Sequence, residues 1–185
     1  MSPSNKLSND IACNLSQLES DRSQTAKRNL IRSLTAYIEF MLSDWKEYIP
    51  QHSRDDISEI DLAILDDKII QISDDGEKRK VKLRTPIRGR MIAKLKIMEK
   101  FLGDETSGSY HKEIEGIDVL FRIRDKITHP KSVDIIDISD KEMNVCISST
   151  SRFLKEYTII GQRLIERTEE EIELIKRLMN CMVQK

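Results

Sequence analysis

The chain has 185 residues, 34% of them charged, and its formal net charge at pH 7 is −1. This length supports one domain with a substantial core and leaves little room for a second. Because the charge is nearly balanced, no whole-protein field attracts nucleic acid, and any such contact must come from a local patch. Abundant charge with few glycines, prolines and aromatic residues is typical of a soluble, helical protein.

The three cysteines are an odd number and lie far apart in the sequence, at Cys13, Cys146 and Cys181. They lack the CxxC or Cys/His spacing of zinc sites and do not indicate a disulfide framework. We therefore expect no metal and no cofactor, and a reducing cytoplasm as the location. The N-terminus is polar and no segment approaches membrane-spanning length, so we expect a protein that is neither secreted nor integral to a membrane.

The polar, Ser- and Asn-rich residues 1–21 predict a flexible arm with at most one short helical turn, around Ile11 to Leu18. Residues 22–185 are predicted to form a single domain. Its first long helix runs from about Arg22 to Ile49, because apolar residues recur every three or four positions and Pro50 follows.

A shorter, acidic helix is predicted from about Asp55 to Leu65, and a passage with alternating apolar residues follows it. Lys68 to Ser73 and Lys80 to Arg84 are both strand-like, and acidic residues with a glycine join them. We therefore predict a β-hairpin at about residues 68–84.

Two further helices follow the hairpin. One is predicted from about Ile87 to Leu102, where Gly103 stops it. The next spans about His111 to Thr128 and must end ahead of Pro130, because the residue before a proline is disfavoured in the α region.

The last part of the chain carries two helix-start signals. Ser139 with Glu142 has capping-box spacing and predicts the start of a long helix. Thr168 with Glu171 repeats that spacing, which predicts either a last amphipathic helix or a kinked continuation. The fold class expected overall is all-α, an antiparallel helical bundle with a small β-hairpin excursion.

An arginine falls on the apolar face of the helix predicted over residues 111–128. At 100° per residue, Arg124 lies near the middle of a stripe of apolar residues. These residues are Ile114, Ile117, Leu120, Phe121 and Ile127. A guanidinium there is costly unless it meets a carboxylate, a partner chain or an anionic ligand. His129 follows five residues later at the helix end, and together the two residues predict a functional site.

The peptide Arg124-Asp125-Lys126-Ile127-Thr128-His129-Pro130 resembles the Arg-x4-6-His signature of the HEPN superfamily. These are small helical domains, many of which are metal-independent ribonucleases. Their signature usually has a polar residue directly after the arginine, and Asp125 fills that place. Upstream, the segment from Thr35 to Leu42 is similar to the early helix of these domains, with Glu39 among apolar residues. The resemblance implies an HEPN-like helical bundle.

RNA cleavage without a metal needs a base for the ribose 2′-hydroxyl, a cation for the phosphorane and an acid for the leaving 5′-oxygen. His129 suits proton transfer near neutral pH, and Arg124 offers a permanently charged, forked set of donors. The two residues lie roughly 140° apart on an ideal helix, so one helix cannot readily aim both at one phosphate. The resemblance to HEPN ribonucleases implies a homodimer in which two signatures face each other and form composite active sites.

Two carboxylates are predicted to support this site. Asp125 is expected to orient the arginine or the histidine, by analogy with the polar residue of the family signature. Glu39 is the candidate for a buried counter-ion to Arg124, because it flanks the apolar stripe of the first long helix. The alternatives are that Arg124 only closes a structural ion pair and that His129 only caps its helix.

Basic residues accumulate from Lys78 through Met98, where the sequence has no acidic residue. Segregated charge of this kind can track a phosphate backbone with little sequence specificity. The candidate substrate-binding residues are Lys82, Arg84, Arg88 and Arg90, together with Arg122 and Lys126 beside the signature. The alternative, slightly favoured from sequence, is a solvated hairpin neutralised by the acidic helix next to it.

The resemblance implies a stand-alone bacterial endoribonuclease that acts as a toxin or as an anti-phage defence component. Its substrate is expected to be RNA, and a regulatory or antitoxin protein is expected as a further partner. Some HEPN toxins carry a tyrosine two residues after the histidine, which their antitoxins modify. Here that position is Lys131, so this mode of control is not expected. The alternatives are a catalytically inactive HEPN module that binds a partner protein or nucleotide, and a plain helical bundle with an accidental signature.

Overall fold

The computed structural model describes residues 3–44, 57–103, 111–129 and 137–183. Within these ranges lie six helices and one two-stranded antiparallel sheet. The helices are α1 Pro3–Ser20, α2 Gln24–Asp44, α3 Glu59–Leu65, α4 Ile87–Leu102, α5 His111–Thr128 and α6 Asp140–Val183, and the strands are β1 Lys68–Ile72 and β2 Lys78–Lys82. A mostly helical chain with a small hairpin was predicted, and at this level the fold class is confirmed.

The N-terminal residues form the helix α1, so the prediction of a flexible arm is wrong. This helix packs along α2. Its residues Ile11, Leu15 and Leu18 lie on one helical face against the hydrophobic core. Asn14 Nδ2 also donates a hydrogen bond to Ser33 Oγ at 2.7 Å. A polar composition predicts disorder only when no neighbouring surface can bury the few apolar side chains, and α2 supplies that surface.

The helix α2 begins close to its predicted start. Ser23 Oγ accepts a hydrogen bond from the Ala26 backbone N–H at 3.2 Å, which satisfies one of the free donors at the helix N-terminus. The described part of α2 ends at Asp44, and residues 45–49 of the predicted helix lie outside the described residues. The same holds for residues 55–56 of the next predicted helix, which is described from Glu59 to Leu65.

The hairpin is confirmed, with Lys68 opposite Lys82 and Ile72 opposite Lys78. Gly76 lies in the connecting turn at a φ of 81°, a conformation that L side chains rarely adopt. Ile70 in β1 and Val81 in β2 are half-buried, and the other residues of the two strands are exposed. The hairpin therefore contributes little to the core.

The core lies between α2, α4, α5 and α6. The apolar stripe predicted for α5 is buried at Ile114, Ile117, Leu120 and Phe121 and half-buried at Ile127. Fully or almost fully buried residues include Ile31, Ile38, Met91, Leu95, Met98, Ile114, Ile117, Leu120, Phe153 and Leu164. Gly103 ends α4 at a φ of 72°, as its position after the last apolar residue predicted. No helix in the described ranges is both long and apolar enough to cross a membrane.

The predicted capping box at the start of α6 is confirmed. Ser139 Oγ accepts from the Glu142 N–H at 3.2 Å, and Glu142 Oε2 accepts from the Ser139 N–H at 2.9 Å. The second start signal does not open a new helix, because α6 is continuous from Asp140 to Val183. Thr168 Oγ1 instead donates to the Leu164 carbonyl at 2.8 Å, a bond that a threonine inside a helix can make.

Two lysines are buried and tie distant segments together. Lys94 on α4 is 0% exposed, and its Nζ donates to the Leu42 carbonyl at 2.9 Å and lies 3.1 Å from Asp67 Oδ1. Burial lowers the pKa of Lys94, and the nearby charge of Asp67 opposes that shift. Lys27 on α2 donates to the Ile138 carbonyl at 2.8 Å and pairs with Asp140 at 2.7 Å. The Lys94 ammonium therefore holds the last described turn of α2, and the Lys27 ammonium holds the start of α6.

Candidate functional site

The signature residues lie at the C-terminal turn of α5. Thr128 Oγ1 donates to the Arg124 carbonyl at 2.8 Å, and the His129 backbone N–H donates to the Asp125 carbonyl at 2.8 Å. The bond to Asp125 satisfies one of the last four carbonyls of the helix, which lack an intrahelical partner. The His129 side chain stands exposed directly after the helix end. It is therefore accessible to a ligand or a second protomer.

Three neighbours hold the Arg124 guanidinium. Nη2 lies 3.0 Å from Glu39 Oε1 on α2, and Nη1 lies 3.4 Å from Asp125 Oδ1. The guanidinium carbon also stands over the Phe121 ring, 5.2 Å from its centroid, which adds a cation–π contact. Nε is buried and has no hydrogen-bond partner among the described residues. The arginine is thus positioned mainly through its two terminal nitrogens and its stacked face.

The Arg124–Glu39 ion pair predicted from the sequence is present, but it is not buried. The Arg124 side chain is 29% exposed and the Glu39 side chain 46% exposed. Glu39 follows the buried Ile38 on α2 and so stands at the rim of the α2–α5 contact. An ion pair this open to water stabilises a fold by about 0–1 kcal/mol. Its main effect is therefore to direct the arginine.

The basic residues beside the signature are exposed. Arg122 on α5 has its Nε 3.7 Å from Asp118 Oδ2, one turn away, and Lys126 lies in the last turn of the helix. Arg88, at the start of α4, has Nη2 at 3.6 Å from Glu115 Oε1 on α5. These contacts are solvent-exposed, so a stronger anionic ligand can displace them.

The remaining candidate substrate-binding residues divide into two groups. Lys82 and Arg84 are exposed at the base of the hairpin, and neither makes an ion pair with another described residue. Arg90 is different, because its side chain is only 24% exposed and its Nη1 lies 3.5 Å from Asp67 Oδ1. This ion pair occupies part of the Arg90 guanidinium, and substrate binding by Arg90 stays a prediction.

Sequence reasoning missed the roles of Lys94 and Asp67. Lys94 sits in the basic stretch, but at 100° per residue it falls among the apolar positions Met91, Leu95 and Met98, whereas the exposed Lys96 lies on the opposite side of the helix. This helical spacing is the signal that could have identified Lys94 as buried. Asp67 adopts a positive φ of 55°, which is uncommon outside glycine. It faces both Lys94 and Arg90. Part of the positive charge of the basic stretch is therefore offset inside the fold.

The two described free cysteines differ in their exposure to water. Burial raises the pKa of the Cys146 thiol to about 12, so this residue stays protonated near neutral pH. Cys13 is exposed on α1. Within residues 3–44, 57–103, 111–129 and 137–183, no group of three or more His, Cys, Asp or Glu side chains is arranged to hold a metal ion.

Comparison of the chain with models of known protein families gave no match. No curated protein matches its sequence, and no solved structure matches its fold. The chemistry of the residues around the end of α5 is therefore the only guide to function among the described residues.

Proposed function

We propose that this protein is a metal-independent endoribonuclease of the HEPN type that acts as a homodimer, with Arg124 and His129 as its catalytic residues. The observation that carries the proposal is an arginine with a side chain 29% exposed, directed by Glu39 and Asp125, about 1.4 helical turns before an exposed histidine. These two side chains supply the cation and the proton-transfer group that RNA cleavage requires.

In this mechanism one His129 imidazole accepts the proton of the ribose 2′-hydroxyl. The 2′-oxygen forms a bond to phosphorus, and the bond from phosphorus to the 5′-oxygen breaks. The partner's His129 donates a proton to that leaving oxygen. The products are a 2′,3′-cyclic phosphate and a 5′-hydroxyl end. The Arg124 guanidinium donates hydrogen bonds to the non-bridging oxygens, where negative charge develops in the transition state.

The homodimer is part of the proposal because of the helix geometry. Arg124 and His129 are separated by roughly 140° around α5, so a single phosphate is better reached by residues from two facing copies of the helix. Glu39 and Asp125 act as positioning residues. The bound phosphate competes with them for the forked donors of Arg124, since guanidinium groups bind phosphate and carboxylate in similar geometry.

The test is cleavage of total cellular RNA and of tRNA by purified protein in EDTA, with wild type beside His129→Ala and Arg124→Ala. Each substitution should lower the rate about 10²- to 10⁴-fold, which is the usual contribution of a general acid–base group or a charge-stabilising donor. Arg32→Ala is the matched control, because Arg32 is an exposed arginine on the solvent side of α2. It should cleave like wild type.

Oligomeric state and end chemistry complete the test. Light scattering should give the mass of a dimer for wild type and for both site variants. Cleaved fragments should carry cyclic phosphate and 5′-hydroxyl ends. A strictly monomeric protein, or cleavage that survives in His129→Ala, would overturn the composite site.

We further propose that the protein acts in the bacterial cytoplasm as a toxin or an anti-phage defence component, under the control of a regulatory or antitoxin protein. This setting follows from the proposed activity, because an unrestrained ribonuclease harms the cell that makes it. Induced expression of wild type should stop growth of a bacterial host, and His129→Ala at equal protein level should not. Equal toxicity of the two proteins would contradict this setting.

A second candidate is a catalytically inactive HEPN module that binds a partner protein or a nucleotide. It is favoured by one observation, since Glu39 and Asp125 already balance the charge of Arg124. Two results together would support this candidate over the enzyme. The wild-type protein would be a folded dimer that cleaves no RNA, and a nucleotide would raise the Tm of wild type but not that of Arg124→Ala.

A further inference from the structure

The register of the hairpin places four lysines on one face. Lys68 stands opposite Lys82, Ile70 opposite Lys80 and Ile72 opposite Lys78. Successive side chains of a strand point to opposite faces, so these six residues share one side of the sheet. All four lysines are exposed. We name this side the lysine face, and it consists of Lys68, Lys78, Lys80 and Lys82 together with Ile70 and Ile72.

The lysine face has an energetic cost that the fold does not recover. A two-stranded hairpin is only marginally stable in water, and here each side of the sheet has a single half-buried strand residue, Ile70 on the lysine face and Val81 on the other. Like charges directly opposite each other on a sheet are destabilising, and Lys68 and Lys82 form such a pair. A surface of this kind is stabilised by an anion that bridges the lysines.

Carboxylates neutralise the turn end of the hairpin. Lys78 Nζ lies 3.6 Å from Glu59 Oε2 on α3. Arg79, on the opposite face, pairs with Asp75 at 3.1 Å and with Glu77 at 3.3 Å. The acidic helix and the acidic turn therefore act as counter-ions where the strands meet the loop.

The base of the hairpin is not neutralised in this way. Lys80, Lys82 and Arg84 make no ion pair with any other residue that the structure describes. Lys68 is 3.9 Å from Asp66, and both side chains are open to water, so this contact offsets little of its charge. The free positive charge of the lysine face is concentrated at Lys68, Lys80 and Lys82.

We infer that the lysine face binds the phosphate backbone of RNA outside the cleavage site. Lys80 and Lys82 are two strand residues apart, about 7 Å, so they can contact different phosphates of one extended strand. Lysine binds phosphate as a point charge without reading the base. The hairpin contains no aromatic residue for base stacking, so binding should be weakly sequence-specific. The choice of RNA over other polyanions rests on the proposed function.

The test measures binding in the His129→Ala background, so that cleavage does not interfere. Affinity for a fluorescently labelled single-stranded RNA is measured by anisotropy at several salt concentrations. The test variant adds Lys68→Gln, Lys80→Gln and Lys82→Gln. The control adds Lys6→Gln, Lys141→Gln and Lys155→Gln, three exposed lysines on α1 and α6 with the same total charge change. A third variant replaces the hairpin lysines by arginine.

Three lost phosphate contacts should reduce the slope of log affinity against log salt by about 2 for a single strand. The loss of affinity between 50 and 200 mM salt should therefore shrink by a factor of about 20. The control triple should keep the wild-type slope, and the arginine triple should restore it. Circular dichroism should show all variants folded, because every substituted side chain is exposed.

The inference would be overturned if the His129→Ala protein bound no RNA, or if it bound anionic phospholipid vesicles and no RNA. It would also be overturned if the variant with three hairpin lysines replaced and the control variant gave equal slopes of log affinity against log salt. Single-stranded DNA of the same sequence and length serves as a further probe. Tighter binding to DNA than to RNA would also overturn the choice of RNA. Because no cleavage is measured, a failure of the proposed ribonuclease activity leaves this readout unchanged.

Discussion

The guanidinium of Arg124 on α5 lies 3.0 Å from the carboxylate of Glu39 on α2, and this contact joins residues 85 positions apart in the chain. It links the helix that carries the signature to the first long helix of the bundle. Both side chains remain partly in water, so the pair directs the arginine more than it stabilises the fold.

A double-mutant cycle with Glu39→Gln and Arg124→Gln should give a coupling energy of about 0.5–1 kcal/mol in the free energy of unfolding. The physical reason is a well-formed but partly screened ion pair. Urea unfolding of the four proteins measures it. The Asp118–Arg122 pair on α5 is the matched control, and its longer, more exposed contact should couple less. No coupling between Glu39 and Arg124 would remove Glu39 as a positioning residue.

Gly116 is a point of close approach between α5 and α6. A Cβ atom at this position would collide with the Ser149 side chain. Gly116→Ala should therefore lower the free energy of unfolding by about 1–3 kcal/mol, the usual cost of overpacking. Gly161→Ala in α6 is the control, because nothing lies within 4 Å of its added Cβ. Alanine is the better helix former there and should stabilise by up to about 1 kcal/mol. Equal effects of the two substitutions would contradict this close approach of α5 and α6.

Lys94 should be the most important lysine for stability among those discussed. Lys94→Met keeps much of the side-chain volume but leaves the Leu42 carbonyl and Asp67 without their ammonium partner. We expect the free energy of unfolding to fall by about 2–3 kcal/mol. Arg90 stays near Asp67 and limits the loss. Chemical denaturation measures the effect, and Lys96→Met on the exposed side of α4 should change stability by about 0.5 kcal/mol or less.

Acid should weaken the anchor at the start of α6. The hydrogen bond and then the charge of Lys27 hold the pKa of Asp140 below its usual value of 3.8. A carboxyl with a lowered pKa in the folded state contributes stability above its unfolded pKa and loses it as the pH falls through the folded value. Wild type should therefore be more stable than Asp140→Asn above about pH 5, and this advantage should fade below about pH 4.

The measurement is urea unfolding of both proteins across this pH range. The control repeats it in a Lys27→Met background, where Asp140 has lost the partner that lowers its pKa. The pH-dependent difference should then disappear. A difference that persists without Lys27 would show that another group is responsible.

The sequence by itself determined most element boundaries. The apolar spacing and the stop at Gly103 located α4, and the capping box of Ser139 and Glu142 located the start of α6. The alternation on both sides of Gly76 predicted the hairpin. These features are short-range, since backbone conformation, helix capping and turn geometry depend on residues a few positions apart. Helical spacing also placed Arg124 on the apolar stripe of its helix and Glu39 beside the stripe of the first long helix, but only the tertiary structure shows that the two side chains meet.

Tertiary structure decided which charged and apolar residues have partners. The apolar residues of α1 became a helical face because α2 lies beside them, although their polar surroundings predicted an arm. Helical spacing separates Lys94 from Lys96, yet only the tertiary structure shows that Lys94 meets Asp67 and the Leu42 carbonyl. Burial and charge pairing depend on segments far apart in the chain, and no local pattern encodes which of those segments meet.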